Sequence, residues 1–452
     1  MLAPFSPAAQ PPRARPWRAY PRMTDSNPSF AAPGRMSRVR WWILALLFFG
    51  TTLNFMDRMV LGILAPGLQK EYTISDVQYG HIQAAFAFCY AFCQMPSGKL
   101  LDWIGIRLGY TVALAGWSVM SMAHALVRGA WGFGIVRGLL GITESPAFPG
   151  ATKAVAEWFP RRERAFAFGF INAGTNMGII VAAMLVPWLA NSYGWQWAFV
   201  GTGALGLVAL LLWIPIYKKP ADHPAVSPAE LAHINSDPPE PAAAPRWLSL
   251  ARSPQAWAFA LAKFLTDSMW WFFVTWFPKY LNKEYNLDLL HIGLPLVVIY
   301  LICDFGSVGG DWLSSWMIKR GASVNRARKT ALLVAALCAL PIISAQYVHA
   351  VWTAVFLLGL VTAAHQAFSS NLYTLVSDMF PRNAVASVAG FGGTFGYFGA
   401  SIFQNMVGYS VETQHNYAFP FYCAGLAYLV AFGVIQILAP RLAPARLEYA
   451  AK

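Results

Sequence analysis

The sequence predicts an all-α polytopic membrane protein with twelve transmembrane helices, arranged as two pseudo-symmetric halves of six. Three observations carry this prediction. The composition is 57% hydrophobic and only 12% charged, whereas soluble domains average about 25% charged residues. The apolar residues fall in runs of roughly 20, the length that a helix needs to cross a bilayer. In addition, one stretch of the first half of the chain reappears in the second half at a constant spacing.

The apolar runs give the expected positions of the twelve helices, with boundaries good to two to four residues. They cover residues 41–63, 78–97, 109–127, 131–152, 165–189, 195–217, 255–277, 291–316, 329–347, 351–377, 384–409 and 417–439.

The longest polar segment divides the chain into two halves. Within it, residues 227–234 (SPAELAHI) have the pattern of a capped amphipathic helix. The N-terminal segment is rich in Pro, Arg, Ala and Ser without an apolar period, so we expect it to be disordered. The predicted units are a disordered segment, a first half, a cytoplasmic linker, a second half and a cytoplasmic tail, at residues 1–37, 38–217, 218–254, 255–440 and 441–452.

An internal repeat relates the two halves. Residues 157–178 (EWFPRRERAFAFGFINAGTNMG) align with residues 378–399 (DMFPRNAVASVAGFGGTFGYFG) at a constant offset of 221. A Phe-Pro-Arg triplet and two glycines coincide, and at this offset Glu144 falls on His365. Chance similarity between apolar helices is the alternative, but it does not explain this register. A two-fold repeat of this kind places a substrate site near the membrane midplane, between the halves.

The basic residues are distributed unequally between the two sides of the predicted bundle. The chain has 33 Lys and Arg residues and a net charge of +13. If both ends are cytoplasmic, only four of the basic residues lie in loops on the opposite side: Lys70, Arg128, Lys279 and Lys283. The positive-inside rule therefore predicts cytoplasmic termini in a bacterial inner membrane. Because the charges lie in short loops between spans, we expect no nucleic-acid surface.

Ionisable residues inside the predicted spans point to function. They are Asp57, Arg58, Arg137, Glu144, Lys263, Asp267, Asp304 and His365. A charge at the centre of a bilayer costs at least ~2.5–3.5 kcal/mol, so each needs a partner or a water-filled cavity. Arginine suits two-pronged recognition of a carboxylate, and a carboxylate withdrawn from water can exchange protons near neutral pH. The pattern indicates transport of a polar solute across the membrane.

The loop between spans two and three, GKLLDWIGIR at residues 98–107, has the spacing Gly-x-x-x-Asp-x-x-Gly-x-Arg. This spacing resembles the loop pattern of major facilitator transporters, and the resemblance implies that Gly98, Asp102, Gly105 and Arg107 are gate residues. We expect Gly98 to allow close helix approach, and Asp102 to pair with basic residues at a helix end when the cytoplasmic side is shut. The alternative is a polar turn with ordinary cytoplasmic positive charges.

Longer motifs resemble the anion:cation symporter family of the major facilitator superfamily. These are NFMDR at residues 54–58 and RGLLGITESPAFPGATKAVAEWFPRRERA at residues 137–165. Residues 263–281, 294–315, 325–333 and 363–382 are similar to bacterial hexuronate transporters within that family. The resemblance covers roughly residues 41–440.

This resemblance implies roles for the charged residues of the first half. Asp57 and Glu144 would carry protons, Arg58 would bind the substrate carboxylate, and Arg137 would be the coupling partner of Glu144. Phe55 stands where the family often has Tyr, a departure that removes one possible contact to a sugar hydroxyl.

The second half supplies further candidates for substrate binding: Lys263, Asp267, Trp270, Trp271, His365, Gln366 and Asn371. Each also has a structural interpretation. Lys263 and Asp267, four residues apart, could form only an ion pair. The tryptophans could be core or interfacial residues, and the other polar side chains could make interhelical hydrogen bonds. An indole also covers the apolar face of a sugar well, which favours a cavity position for at least one of them.

Together these patterns predict a monomeric, proton-coupled symporter of a sugar acid, foremost a hexuronate such as galacturonate or glucuronate. Its partners would be the organic anion, protons and the lipid bilayer. The five cysteines all lie in apolar spans, and we expect neither a metal site nor a cofactor. Alternatives are an aldonate, aldarate or aromatic carboxylate as substrate, and sodium in place of protons. A membrane enzyme would need a nucleophile or metal cluster, and a nutrient sensor would need a soluble output domain.

Overall fold

The computed structural model describes residues 36–237, 247–445 and 447. These residues are predominantly helical, and no strand occurs among them. The predicted disordered segment lies outside the described residues except for its last two. Part of the linker and half of the tail also lie outside them.

The first half contains seven α-helices that make six spanning units. They are α1 (Val39–Tyr72), α2 (Asp76–Ile104), α3 (Ile106–Ala123), α4 (Gly129–Glu144), α5 (Ala147–Trp158), α6 (Arg161–Tyr193) and α7 (Trp195–Ile216). A short 3₁₀ turn, His124–Leu126, connects α3 towards α4.

The fourth span is interrupted directly after Glu144, where we had predicted one helix over residues 131–152. Pro146 lacks the N–H that would continue the helix. The hydroxyl of Ser145 instead donates to the carbonyl of Ile142 at 2.9 Å, so that acceptor remains satisfied. The break places Glu144 on the last turn of α4, beside an interrupted backbone.

The second half contains six long helices, and the described part of the linker contains two short ones. The linker helices are α8 (Pro228–Ile234) and α9 (Trp247–Ala251). The long helices are α10 (Pro254–Tyr285), α11 (Gly293–Lys319), α12 (Val324–Ala339), α13 (Val351–Met379), α14 (Arg382–Gln414) and α15 (Ala418–Leu438). A 3₁₀ segment, Leu340–Tyr347, extends α12 to a full span.

The internal repeat has the same geometry in both halves. Helices α6 and α14 are each 33 residues long. Their N-caps, Pro160 and Pro381, have nearly identical backbone angles, φ −64° and ψ 153° against φ −64° and ψ 151°. Gly178 of α6 packs against the backbone of α1, and Gly399 of α14 packs against the backbone of α10. A β-carbon at either glycine would overlap a carbonyl oxygen, so the repeated glycines allow equivalent helices to touch.

The outside of the bundle is apolar. Seven of the described helical segments are both long and apolar enough to cross a membrane. Large side chains such as Trp131, Phe305 and Ile437 are more than three-quarters exposed. A water-soluble monomer rarely exposes so much contiguous apolar surface. The predicted all-α fold of two six-span halves is confirmed, and the protein is an integral membrane protein.

The linker attaches to the first half through a buried carboxylate. Ser227 caps α8 as predicted, accepting a hydrogen bond from the Glu230 N–H. The fully buried Glu230 side chain accepts hydrogen bonds from the backbone N–H groups of Val39 and Arg40, and pairs with the Arg40 guanidinium at 3.0 Å. We call this side of the bundle the linker end, and the opposite side the far end.

Replacement of Glu230 by alanine should lower the melting temperature of the purified protein in detergent. Removal of one partner from a buried ion pair costs about 3–5 kcal/mol. Arg40 keeps Glu163 at 3.1 Å, so the loss should fall toward the lower limit. Asp222→Ala is the matched control, because Asp222 is an exposed acid of the same linker. Equal melting temperatures for the two variants would contradict a clamping role for Glu230.

Candidate functional site

Arg58 lies at the contact between the two halves. Its side chain is 2% exposed, and its Nε atom donates to Glu144 Oε2 at 2.6 Å. A second guanidinium nitrogen donates to the hydroxyl of Tyr397 at 3.0 Å. Arg58 and Glu144 belong to the first half and Tyr397 to the second. A buried arginine therefore joins a carboxylate of its own half to a phenol of the other half.

Aromatic rings from both halves surround the Arg58 guanidinium. The ring centres of Phe55, Phe86, Tyr90 and Trp271 lie 4.8, 5.3, 5.0 and 5.1 Å from its central carbon. Tyr90 stacks on Tyr397 with ring centres 4.0 Å apart. Such contacts stabilise a cation withdrawn from water. The rings form a box with the Arg58–Glu144 pair inside it.

Arg137 contacts the backbone of Arg58 and forms no hydrogen bond with Glu144 among the described residues. It donates to the Arg58 backbone carbonyl at 2.8 Å and, at 3.4 Å, to the side chain of Gln83. Two of its three guanidinium nitrogens have no hydrogen-bond partner among the described residues. Arg137 thus contacts the backbone of Arg58, whereas Glu144 contacts its guanidinium.

Asp57 points away from this cluster, into the first half. It accepts a hydrogen bond from the Ser121 hydroxyl of α3 at 2.8 Å, and Ser121 lies 3.5 Å from Thr202 of α7. Asp57 is 1% exposed and its second oxygen has no partner among the described residues. The adjacent residues Asp57 and Arg58 therefore face different surroundings, since neighbours on a helix point about 100° apart.

A second ion pair lies in α10. Lys263 and Asp267, one helical turn apart, are 2.6 Å from each other, and both are largely buried. The Lys263 ammonium lies 4.8 Å from the ring centre of Tyr373. The Asp267 carboxylate packs against Gly396 so closely that a β-carbon there would overlap it. Gly396 is directly followed by Tyr397, so one turn of α14 connects this pair to Arg58.

Trp270 and Trp271 face opposite environments. Trp271 covers Arg58, as described above. Trp270 stacks on His365 with ring centres 4.9 Å apart and an interplanar angle of 17°. His365 Nδ1 lies 3.0 Å from the hydroxyl of Tyr428. His365 and Trp270 are therefore packed inside the second half and do not contact Arg58.

Two other predicted residues of α13 stand apart from the box. Asn371 is fully buried and donates to the Ala367 carbonyl of its own helix at 2.9 Å. Gln366 is partly exposed beside His365. Of the predicted second-half candidates, Trp271 contacts Arg58 directly. Asp267, the partner of Lys263, contacts Gly396, the residue next to Tyr397, which binds Arg58.

Asp304 lies at a further contact between the halves. Its carboxylate accepts a hydrogen bond from the side-chain amide of Asn176 in α6, and Asp304 remains exposed. The observed partner of Asp304 is therefore a side-chain amide of the other half. Four of the ionisable residues predicted inside the spans are thus spread over separate contacts: Glu144, Asp267, Asp304 and His365.

The far end holds the two halves together. Tyr79 of α2 donates to the carbonyl of Thr275 in α10 at 2.8 Å. Asp76 pairs with Lys279 of α10, and the Val77 N–H donates to Glu412 of α14 at 2.6 Å. Toward this end, beyond Arg58, the described residues leave a void of about 10 Å³, too small for an organic anion. The passage is closed on that side.

The predicted gate motif makes its contacts inside the first half. Asp102 pairs with Lys153 of α5 at 2.5 Å, and Arg107 donates to the Ile214 carbonyl at 2.8 Å. Gly105 has φ +79°, a conformation that favours glycine. The expected close approach at Gly98 is wrong for this conformation, because a β-carbon there would meet no atom within 4 Å. No helix of the second half lies close enough to need that glycine.

Sequence reasoning missed Tyr90 and Tyr397. Both are aromatic residues in apolar spans, where tyrosine is most often a packing residue. The repeat contained a signal, because the offset of 221 places Tyr397 on Asn176. Tyr397 and Asn176 each form a hydrogen bond to a residue of the other half, Tyr397 with Arg58 and Asn176 with Asp304. Phe55 has no hydroxyl, but Tyr90 and Tyr397 both carry one and both lie beside Arg58.

Comparisons with known proteins agree with the fold and with the class of protein. The sequence model of the Major Facilitator Superfamily matches residues 47–404. The hexuronate transporter of Escherichia coli K12 is 32% identical over 388 residues, covering 84% of this chain and 89% of that protein. The D-galactonate transporter of Escherichia coli O6:H1 is 30% identical over 421 residues, covering 90% and 95%.

Among solved structures, a bacterial homologue of the human lysosomal transporter Spinster superposes with a TM-score of 0.72 at 18% sequence identity. The match covers 89% of this chain and 98% of that one. The family match spans most of the chain, and two relatives at 30% identity or more extend over nearly all of it. The chain therefore belongs to the Major Facilitator Superfamily and is a membrane transporter, not an enzyme.

Proposed function

We propose that this transporter carries a sugar acid together with a proton, with hexuronates such as galacturonate and glucuronate as preferred substrates. It would work as a monomer in a bacterial inner membrane, with the linker end in the cytoplasm. The observation that carries the proposal is the buried Arg58–Glu144 ion pair between the halves. The named functions of the hexuronate and galactonate relatives support the class of substrate.

The ion pair suggests how a proton and a carboxylate would be coupled. Arg58 offers the two-pronged donor that a substrate carboxylate needs, and in this structure its N–H groups donate to Glu144 and to the Tyr397 hydroxyl. When the substrate carboxylate takes these positions, Glu144 is left as a buried carboxylate without its cation. Protonation then neutralises Glu144, since an unpaired buried charge is costly. The substrate and the proton are therefore bound together.

The charge balance favours a substrate with one carboxylate. Among the described residues buried away from the ends of the bundle, the cations are Arg58, Arg137 and Lys263 and the acids are Asp57, Glu144 and Asp267. The other buried cations, Arg40, Lys279 and Lys329, lie near the ends. One proton on one acid leaves a single positive charge for the substrate to neutralise. A uronate or an aldonate satisfies that balance, whereas an aldarate with two carboxylates would need a second proton.

Hydroxyl groups near Arg58 suit the remainder of a sugar acid. The phenols of Tyr90 and Tyr397 lie in the box, and the Lys263–Asp267 pair is reached along α14. Trp271 can cover an apolar sugar face. Buried polar groups left without partners cost about 1–3 kcal/mol each, so an apolar ligand would be disfavoured here.

The closed far end gives a direction to the transport cycle. If the far end is periplasmic, this conformation is closed to the periplasm, and the next exchange of substrate would be with the cytoplasm. Release of the substrate and proton there would allow Arg58 and Glu144 to pair again. That re-formed pair neutralises both charges for the return of the empty transporter, so the carrier would not return with an unpaired buried charge.

The test is a competition panel in proteoliposomes under an inward proton gradient. Labelled galacturonate would be the substrate, and glucuronate, galactonate, glucarate and benzoate would be the competitors. We expect glucuronate to compete strongly, galactonate less, glucarate weakly and benzoate negligibly. Transport driven by benzoate alone, with no sugar acid transported, would contradict the proposed substrate class.

An aromatic carboxylate is the second candidate, and one observation favours it. Four aromatic rings surround Arg58 within 5.3 Å. Such a box could hold an aromatic acid by stacking while Arg58 takes its carboxylate. An aromatic acid would leave the tyrosine hydroxyls and the Lys263–Asp267 pair without ligand partners, so we place it below the sugar acids. The competition panel described above distinguishes these two classes of substrate.

A further inference from the structure

Three of the four basic residues on the far side converge on one depression. Lys70, Lys279 and Lys283 line it, whereas Arg128 does not. It has a volume of about 570 Å³, within the ~300–1,000 Å³ range of small-ligand sites. Its walls come from α1, α2, α10 and α14, so it lies directly over the closed end of the passage. This concentration of positive charge stands where an anion would enter.

Carboxylates of the protein occupy anion-binding positions in this depression. Glu412 of the second half accepts the Val77 N–H at the start of α2 at 2.6 Å. A helix N-terminus with a nearby cation is a favourable place for an anion. Asp76 of the first half pairs with Lys279, whose side chain is only 8% exposed. Each of these two contacts crosses between the halves.

Both contacts must break when the far end opens. Separation of α2 from α10 and α14 removes Glu412 from the Val77 N–H and Asp76 from Lys279. Lys279 also lies over the rings of Tyr79 and Trp276, at 5.5 and 5.1 Å, one from each half. Opening therefore leaves the Val77 N–H without Glu412 and a nearly buried ammonium without Asp76. An external carboxylate can take the vacated positions.

We propose that this depression is an anion-capture site for the carboxylate of the incoming substrate, and that its occupation favours opening of the far end. Lys279 and Lys283 supply the charge, and the substrate carboxylate replaces the protein carboxylates at the contacts that hold the halves together. Lys283 is exposed and donates to the His415 carbonyl at 3.1 Å, which leaves other N–H groups free to bind an anion. The assignment of a sugar acid as this ligand rests on the proposed function.

The primary test compares the two sides of the membrane. Initial rates of labelled galacturonate uptake would be measured in right-side-out and inverted membrane vesicles. For Lys279→Gln with Lys283→Gln, we expect the far-side KM to rise about tenfold, because charge at an entrance raises local anion concentration and on-rate. The KM from the linker side should stay within about twofold, since those residues lie outside the central site. Arg128→Gln, which removes an equal far-side charge outside the depression, should change neither value.

A second readout does not depend on transport. In an Asn282→Cys variant, the new thiol lines the depression, and its rate of reaction with a membrane-impermeant maleimide reports opening of the far end. Galacturonate should accelerate labelling severalfold with Lys279 present and have no effect after Lys279→Gln. Sulfate at equal ionic strength should have little effect.

These results separate failure of the capture site from failure of the proposed function. An unchanged far-side KM, or equal changes from both sides, would overturn the capture site while galacturonate transport by the unaltered protein persists. Equal acceleration of labelling by sulfate would overturn the assignment to a substrate carboxylate. If the unaltered protein transports no sugar acid, the proposed function fails. Labelling unaffected by galacturonate would then overturn the capture site as well.

Discussion

Replacement of Arg58 by alanine is expected to abolish uptake of the substrate. The change removes the two-pronged donor for the carboxylate and leaves Glu144 buried without a cation. Loss of one member of a buried pair costs about 3–5 kcal/mol. Arg58→Lys keeps the positive charge but cannot reach Glu144 and Tyr397 as the guanidinium does, so a strongly raised KM with residual uptake is expected.

A defect in folding must be distinguished from a defect in binding. Arg58→Met combined with Glu144→Gln removes both charges, and a neutral substitution of a buried pair is often tolerated. We expect this double variant to melt close to the unaltered protein and still fail to bind galacturonate. Retention of unchanged affinity by either Arg58→Ala or the double variant would exclude Arg58 as the carboxylate-binding residue.

Glu144→Gln should separate binding from coupling. Glutamine resembles the protonated acid and leaves Arg58 permanently available to the substrate. Counterflow exchange of galacturonate should therefore persist, while accumulation against a gradient should be lost. Both activities can be measured in the same proteoliposomes, with and without an imposed proton gradient.

Asp57→Asn gives the informative comparison, because Asp57 contacts Ser121 instead of Arg58. Loss of accumulation in this variant as well would assign a second proton-carrying acid to the first half. Full proton-driven accumulation by both Glu144→Gln and Asp57→Asn would contradict the proposed coupling. Asp267 and Asp304 would then be the next candidates for the proton-carrying acid.

Much of the fold follows from the sequence, because membrane crossing imposes simple requirements. Span length and apolarity locate the helices, and the repeat at residues 157–178 and 378–399 establishes the two halves. The break after Glu144 was not predicted, although Pro146 marks it. A proline can also be accommodated within a membrane helix, and four of the longest helices here contain one: Pro66, Pro96, Pro187 and Pro278.

The site was predictable in part. Placing a charged side chain inside the membrane costs free energy, so charged residues within apolar spans are rare and indicate function. Arg58, Glu144 and Lys263 could be recognised from the sequence for this reason. Their partners depend on helix rotation and on the contact between halves, which a single span does not encode. His365 occupies the position equivalent to Glu144 in the repeat, yet it packs on Trp270 inside the second half. Equivalence in the repeat thus did not indicate the surroundings of His365.

In the proposed mechanism, the substrate carboxylate and Glu144 compete for Arg58, so that substrate binding takes up a proton. The most direct measurement is calorimetric titration of the purified protein with galacturonate at neutral pH, in buffers with different enthalpies of ionisation. We predict uptake of about one proton per substrate bound by the unaltered protein, and of almost none by Glu144→Gln. Binding without proton uptake in the unaltered protein, or equal uptake in both proteins, would contradict this mechanism.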